Sequence, residues 1–386
     1  MWRHIVANFL TVLIVLLVAA AGAVTWAQRQ YGGPGPLTAS VCLRVAPGDS
    51  FRKVSDALAA QGAISSGYIF RTGADLAGKA GSLKFGSYLI APGASMQEIV
   101  ATVTTGGPST CGSEINFRIG VNVTDVILRE LDPATARYVE RVKFDPAATA
   151  APAEYLDAAG KPDVRLRVTL AEGATVWQVI EALKRADFLT GEVKELPAEG
   201  SLAPDSYEVT RGSARTALLA EMMRRQDAVL AEAWAARAEG LPYANPAEAL
   251  VMASIVEKET GVPDERRQVA SVFINRLEQG IRLQTDPTVI YGVTDGKGAL
   301  GRGLRQSELQ RQTPYNTYLI DGLPPTPIAN PGRASIEAAL NPADTNFIFF
   351  VADGTGGHAF AATLAEHNRN VERWRAIEAA RPPAGN

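Results

Sequence analysis

The chain of 386 residues is short of several things at once. It has two cysteines and three histidines, 7% of its residues are aromatic and 20% are charged, against about 25% charged in an average chain. Each scarcity excludes something. Two Cys and three His, with no His-Glu-x-x-His, assemble no known zinc-ligand spacing, so neither a metal nor another cofactor is expected. A formal net charge of −3 lacks the basic excess of a phosphate-neutralising surface, so nucleic acid is not an expected partner. There is no complete phosphate loop and no Gly-x-Ser-x-Gly, which leaves phosphoryl transfer and serine hydrolysis without support. Disorder is equally unsupported, because 46% of the residues are hydrophobic and the net charge is low. The length predicts two or three domains with a real core.

What the chain does contain is unevenly spread. Ile5 to Ala27 is free of charge for 23 residues. As a helix it reaches roughly 34 Å, enough to cross a hydrocarbon layer of about 30 Å. Arg3 and His4 precede it and Arg29 follows, so the flanking charges fix orientation only weakly. Residues 1–30 are therefore expected to be a cytoplasmic stub and transmembrane anchor. The rival reading is a signal peptide cut at Ala21-Gly22-Ala23; apolar sequence continuing through Val24 to Ala27 favours the anchor. Either way the body is exported. In an oxidising compartment Cys42 and Cys111 are candidates for a disulfide that staples one folding unit, and two buried free thiols are the alternative.

The chain also repeats itself. Val45-Ala-Pro-Gly48-Asp-Ser50 recurs as Ile90-Ala-Pro-Gly93-Ala-Ser95 and as Leu170-Ala-Glu-Gly173-Ala-Thr175, and more weakly around Arg118-Ile-Gly120 with Val126 and Leu131. An apolar run ending at Gly, then a capping hydroxyl, then an apolar stripe predicts strand–turn–helix. Two end signatures, Phe85-Gly-Ser-Tyr88 and Pro204-Asp-Ser-Tyr207, complete the pattern. Residues 38–108 and 109–212 are expected to be two related α+β pieces, either packing units or carbohydrate-binding modules resembling LysM. Asp145 to Gly160, rich in Ala and Pro, reads as a linker, Ser213 to Arg237 as a long helix, and the tail from Arg381 as frayed.

Asn245-Pro246-Ala247-Glu248 is a helix start: an Asn cap, Pro at the first position and Glu at the third. Eight uncharged residues, Ala249 to Val256, precede Glu257-Lys258-Glu259-Thr260, with Gly261 read as the stop. Helical spacing places Glu259 on the face of Met252, Ile255 and Val256. A carboxylate against an apolar wall, in a last turn where the macrodipole is negative, is favoured in its protonated form. A general acid needs that property. The plain alternative is a solvated helix end. A second helix follows, with Asp264 and Glu265 in its first turn, an apolar stripe of Val269, Val272, Phe273 and Leu277, and Gly280 at its end. Two polar-aromatic stretches, Leu283–Gly292 and Thr313–Tyr318, are placed on turns or short strands; amides, hydroxyls and phenol faces of this kind hold sugars, and also build turns and cores.

These stretches carry a resemblance. Ala253-Ser-Ile-Val-Glu-Lys-Glu-Thr260, Val269-Ala-Ser-Val-Phe-Ile-Asn-Arg-Leu277, Leu283-Gln-Thr-Asp-Pro-Thr-Val-Ile-Tyr-Gly292, Tyr315-Asn-Thr-Tyr318, Gly322-Leu-Pro-Pro325, Ile328-Ala-Asn-Pro-Gly332, Phe349-Phe-Val-Ala-Asp-Gly354 and His358-Ala-Phe360 strongly resemble, in the same order, the endolytic murein transglycosylases of the YceG-like family. The match is dense over 245–375 and looser over 38–245, where the family has a LysM-like segment behind a single anchor.

The resemblance implies an α+β catalytic domain at 213–381, with core motifs at 245–375, behind LysM-like β-α repeats and one transmembrane helix. It implies an inner-membrane protein with its body in the periplasm, acting on peptidoglycan glycan strands, with peptidoglycan synthases as candidate partners. The implied reaction is lytic cleavage within the strand that leaves 1,6-anhydro-MurNAc ends and terminates nascent strands. Glu259 falls on the family's catalytic acid/base. Asn275, Gln284, Asp286, Tyr291, Asn316 and Tyr318 match its motifs and are candidates for lining the groove. One departure stands out: Ala203 precedes Pro204-Asp-Ser-Tyr207, where the family usually has an aromatic. Two alternatives stay in view, a lysozyme-type hydrolase using a second carboxylate such as Asp286 and a non-catalytic peptidoglycan-binding scaffold.

Two decoys are set aside. Gly296-Lys-Gly298-Ala-Leu-Gly301, with Asp321 beyond it, fits a dinucleotide fingerprint but lies in a polar loop between sugar-site motifs. His358 and His367 read as hydrogen-bonded structural or rim residues.

Overall fold

The computed structural model describes residues 2–380; the tail from Arg381 lies outside them. The chain opens with α1 (Trp2–Gly32), then β1 (Val41–Val45), α2 (Phe51–Ala60), α3 (Gly67–Leu76), β2 (Gly86–Ile90) and α4 (Met96–Thr105). Three strands follow, β3 (Ser113–Ile119), β4 (Thr124–Asp132) and β5 (Arg137–Phe144), then α5 (Ala153–Ala159), β6 (Arg165–Leu170), α6 (Val176–Lys184) and β7 (Ser206–Val209). The remainder is mostly helical: α7 (Arg215–Ala235), α8 (Pro246–Glu259), α9 (Arg266–Glu278), α10 (Asp286–Thr294), α11 (Gln306–Leu309) and α12 (Arg333–Leu340). A hairpin of β8 (Phe349–Ala352) and β9 (His358–Ala361) and a last helix, α13 (Leu364–Ala380), close the described chain. This is a mixed α+β protein with an apolar N-terminal helix. A five-stranded sheet has the order β5-β4-β3-β6-β7, and β1 pairs with β2.

The strand–turn–helix pattern recurs where its sequence does. Gly48, Gly93 and Gly173 all take a left-handed φ, at 82°, 69° and 80°, a region that L side chains enter only with strain. The hydroxyl two residues on then caps the helix. Ser50 accepts from Lys53 N, Ser95 from Glu98 N and Thr175 from Gln178 N, the last two in full capping boxes. The end signatures share a device as well, since Tyr88 OH donates back to Lys84 O and Tyr207 OH to Ala203 O. The weakest copy departs from the pattern. Val126 to Leu131 is not a helix but lies in β4, where Val126, Ile127 and Leu128 are all buried. The Ala- and Pro-rich stretch after Asp145 carries the short helix α5, pinned by Tyr155 edge-on to Phe144.

Two compact units emerge: one formed by residues up to 116, 127–144 and 150–166, the other by 117–126, 145–149 and 167 onward. In the first, antiparallel β1 and β2 align Leu43 with Tyr88 and Val45 with Gly86 over a core that includes Val54, Leu58, Phe70, Ile99 and Val103. Cys42 and Cys111 are joined by a disulfide, Cα atoms 5.9 Å apart. The last turn of α1 belongs to this unit: Ala27 and Tyr31 pack on its core. Upstream, α1 leaves Phe9, Leu16 and Val18 exposed. Its 26 residues from Ala7 to Gly32 include an 18-residue stretch of mean hydropathy 2.4 and meet the length and apolarity of either a membrane anchor or a signal sequence. In the second unit, α8 packs against α7, α9, α10 and α12.

Candidate active site

α8 begins as its sequence specifies. Asn245 Oδ1 accepts from Glu248 N at 3.1 Å, Pro246 occupies the first turn, and Glu248 reaches back to Ala244 N at 2.7 Å. Its uncharged run is buried nearly all round, Ala249 and Val251 to Val256 included, rather than along one stripe, because helices pack on several sides of it. The single polar residue in that run, Ser254, is satisfied by donating to Val251 O and accepting from Ile328 N.

The end of α8 is not a solvated terminus. Glu257 Oε2 accepts from Gly332 N at 3.0 Å and from Ser335 Oγ at 2.7 Å, capping the first turn of α12. The Lys258 ammonium donates to Gly173 O at 3.3 Å, and burial lowers its proton affinity. Gly261 takes no left-handed turn. The helix stops because Thr260 swings to φ −138° and its hydroxyl receives Val262 N at 3.0 Å. That hydroxyl also meets Glu265, whose carboxylate holds the backbone and ring of His358, each at 2.8 Å.

Glu259, the last residue of α8, stands at a cleft of about 710 Å³ with Phe273, Arg276, Leu283, Gln284, Thr285, Asp286 and Tyr318 on one side. Phe349 to Val351 of β8 and Leu364, His367, Asn368 and Val371 of α13 complete the lining. Burial is the largest influence on the Glu259 carboxyl and raises its pKa, and the nearby Asp286 carboxylate adds to the rise. Thr285 opposes them by donating its hydroxyl to Glu259 Oε1, with weaker opposition from His358 and Arg276. The balance favours the protonated acid.

A network of threonines aims that hydroxyl. Gln284 adopts φ 50° and donates its N–H to Thr317 O, while Thr285 N donates to Thr317 Oγ1 at 3.0 Å. Thr288 and Thr317 share a hydroxyl bond of 2.9 Å, all three threonines being buried. Asp286 then starts α10, and its Oδ1 accepts from Tyr318 OH at 2.7 Å. Burial, reinforced by that bond to Asp286, raises the Tyr318 phenol pKa.

The structure thus gathers Glu259, Gln284, Asp286 and Tyr318 at one cleft and places the other three candidates elsewhere. Asn275 Nδ2 donates to Thr345 O and Phe347 O, both at 2.9 Å, tying α9 to the irregular segment leading into β8. Asn316 is fully buried; its Nδ2 donates to Glu308 O, Leu309 O and Arg311 O, and its Oδ1 receives Tyr318 N. Tyr291 packs its ring 4.9 Å from Tyr315 and gives its hydroxyl to Glu199. Residues 286–294, expected on a turn or strand, form α10, with Pro287 in the first turn where its missing N–H costs nothing.

Thr285 and Arg276 are cleft residues that the sequence reading passed over. Thr285 had a signal, since it lies between Gln284 and Asp286. Arg276 had the same kind of signal, since it follows Asn275 in the stretch Val269–Leu277 that carries the resemblance. The loop with the dinucleotide-like glycines follows a helix, α10, not a strand. Among the described residues no three His, Cys, Asp or Glu side chains are arranged to hold a metal ion.

The YceG-like family model matches residues 43–155 and 144–373. A Bacillus subtilis protein named endolytic murein transglycosylase is 43% identical over 125 residues, which are 32% of this chain and 34% of that protein. A Streptococcus pneumoniae protein of the same name is 32% identical over 179 residues, 45% of this chain and 31% of that one. The matches thus span about a third of the length of these curated relatives. A 2.6 Å crystal structure of a YceG-like protein from Listeria monocytogenes is 25% identical, with a TM-score of 0.45, over 86% of this chain and 99% of that one. The two segments of the family model together run from 43 to 373, well over half of the 386 residues, and on that extent the chain belongs to the YceG-like family.

Proposed function

We propose that this protein is an endolytic peptidoglycan lytic transglycosylase, a carbon–oxygen lyase that cuts glycan strands internally with Glu259 as acid and then base. One observation carries the reading: a single half-buried carboxyl, its pKa raised by desolvation, stands at an open cleft with one oxygen fixed by Thr285. The murein transglycosylase relatives supply the substrate class. In the first step the Glu259 proton passes to the glycosidic oxygen as the bond from that oxygen to C1 of the muramoyl sugar breaks. The C6 hydroxyl oxygen of the same sugar then bonds to C1, and its proton passes to Glu259. The product carries a 1,6-anhydro-MurNAc end, no water is consumed, and the carboxyl is regenerated. Such ends would terminate nascent strands.

The same proposal places the body in the periplasm, held at the inner membrane through Ile5–Ala27 beside the synthases that make its substrate. Functionally it divides the body into 38–108, 109–212 and a catalytic part, 213–381. We assign LysM-like glycan contact to 38–108. There the Gly48 turn stands open, whereas the matching Gly173 turn is engaged by Lys258 and Asn330.

A hydrolytic reading has one observation in its favour, the second carboxylate, Asp286, in the same cleft. Mass spectrometry of the fragments released from purified peptidoglycan separates the two. Anhydro ends, lighter by one water than reducing ends, are expected; reducing ends alone would establish hydrolysis. A protein that binds strands and releases nothing would be a scaffold.

A further inference from the structure

Arg276 is an unusual cation. It is 9% exposed, lies on α9, and lines the Glu259 cleft. Its guanidinium is held by backbone carbonyls only: Nε donates to Ile348 O at 2.7 Å, and Nη1 to Leu283 O at 2.8 Å and Arg282 O at 3.4 Å. The Phe349 ring lies against it, centroid 5.4 Å from Cζ. Among the described residues nothing bonds Nη2, and no carboxylate forms an ion pair with the group.

None of the other ionisable groups at the cleft forms an ion pair with that charge, and Glu259 and Tyr318 favour it only through space. Glu259 is biased towards its neutral acid by burial. Asp286 is occupied by the Tyr318 hydroxyl and makes no ion pair with Arg276. The Tyr318 phenol is held neutral by burial. His367 on α13 stacks on Phe349, and its pKa is lowered by burial and by Arg276, so it adds no negative charge. A guanidinium stays charged even when buried, and a buried charge without a counter-ion is costly. Nη2 keeps its N–H donors for an incoming group, and a carboxylate is the acceptor that forms the strongest, charge-assisted bonds with them.

We propose that the Nη2 edge of Arg276 holds a carboxylate of the substrate, so that the cleft selects acidic glycan over neutral glycan. This rests on the reading of the protein as a peptidoglycan enzyme. Two sources share the chemistry: the lactyl carboxylate of a muramoyl sugar stripped of peptide, and a carboxylate of the attached peptide. Arg276 acts here in binding, alongside the proton transfers of Glu259.

The test is a titration on full-length Glu259→Gln protein, which binds without turnover, using four probes. Two are peptide-free glycan tetrasaccharides with lactyl carboxylates either free or converted to methylamides. Two are peptide-bearing tetrasaccharides with peptide carboxylates either free or amidated. The expected result is at least tenfold weaker binding on neutralising one of the two sources, a loss that Arg276→Gln in the same background erases and Arg276→Lys restores in part. Equal binding of both members of both pairs by Glu259→Gln protein overturns the proposal, and so does an absence of binding by all four. The Glu259→Gln comparison alone decides the matter if Arg276 variants fail to fold. Wild-type protein that shows the carboxylate preference yet cuts nothing would remove the lytic reading and leave this site. Cutting without the preference would do the reverse.

Discussion

Thr285→Val tests the chemistry of the site through a single hydroxyl. The substitution is nearly isosteric, and the backbone N–H of Thr285 keeps its bond to Thr317. What disappears is the donation from Thr285 Oγ1 to Glu259 Oε1. That bond favours the ionised carboxylate, so its loss raises the Glu259 pKa further above its ordinary value. A hydrogen bond to a charged group contributes about 1.5–3 kcal/mol, and one pKa unit is about 1.36 kcal/mol. The expected rise is therefore about one to two units. The acid must be protonated to act, so activity falls as pH rises through this pKa. In a plot of kcat/KM against pH on soluble glycan fragments, the descending limb should move to higher pH by about one to two units. Thr285→Ser, which keeps the donor, should leave the limb in place. A limb that stays put in Thr285→Val, or moves to lower pH, would refute the assignment of Glu259 as the acid under Thr285 control.

Three further outcomes follow from the packing. A raised folded-state pKa means that the native protein holds the Glu259 proton more tightly than the unfolded chain, so this group costs stability once pH climbs past the unfolded carboxyl value; Glu259→Gln should raise Tm, with a gain that grows up to the folded-state pKa, as calorimetry across pH would show. Gly73→Ala would drive a Cβ into the Tyr31 ring; the overlap should cost about 1–3 kcal/mol, and Tyr31→Ala combined with it should recover part of that loss in a double-mutant cycle. The Cys42–Cys111 disulfide closes a sequence separation of 69 residues; on the chain-entropy account its loss in a Cys42→Ser, Cys111→Ser double variant should cost about 4 kcal/mol, measured as a drop in the denaturant midpoint.

What the sequence made legible was local. Asn245-Pro246 and the hydroxyls of Ser50, Ser95 and Thr175 announce helix starts because a cap acts within four residues of itself. The left-handed glycines 48, 93 and 173 were visible as a repeat for the same reason. Glu259 could be singled out because an uncharged run next to a carboxyl implies desolvation wherever the helix packs. The groove candidates divide along another line. Gln284, Asp286 and Tyr318 share the cleft, but Asn275 and Asn316 spend their amides on backbone carbonyls. Asn275 reaches carbonyls about 70 residues away in sequence, and nothing in the residue type tells a sugar-binding amide from a loop-binding one. β4 defeated the pattern because Val126 to Leu131 offers apolar residues at both helical and strand spacing, and sheet pairing settles the choice. The role of Arg276 was hidden because its partners are carbonyls supplied by other segments.

The central claim is that Glu259 drives an intramolecular displacement in which the substrate supplies its own nucleophile. Digestion of purified peptidoglycan in heavy-oxygen water, with the released fragments weighed by mass spectrometry, tests it most directly. The account predicts anhydro ends free of solvent oxygen from the wild-type protein and no fragments from folded Glu259→Gln protein. New ends labelled with heavy oxygen, or undiminished release by the variant, would contradict it.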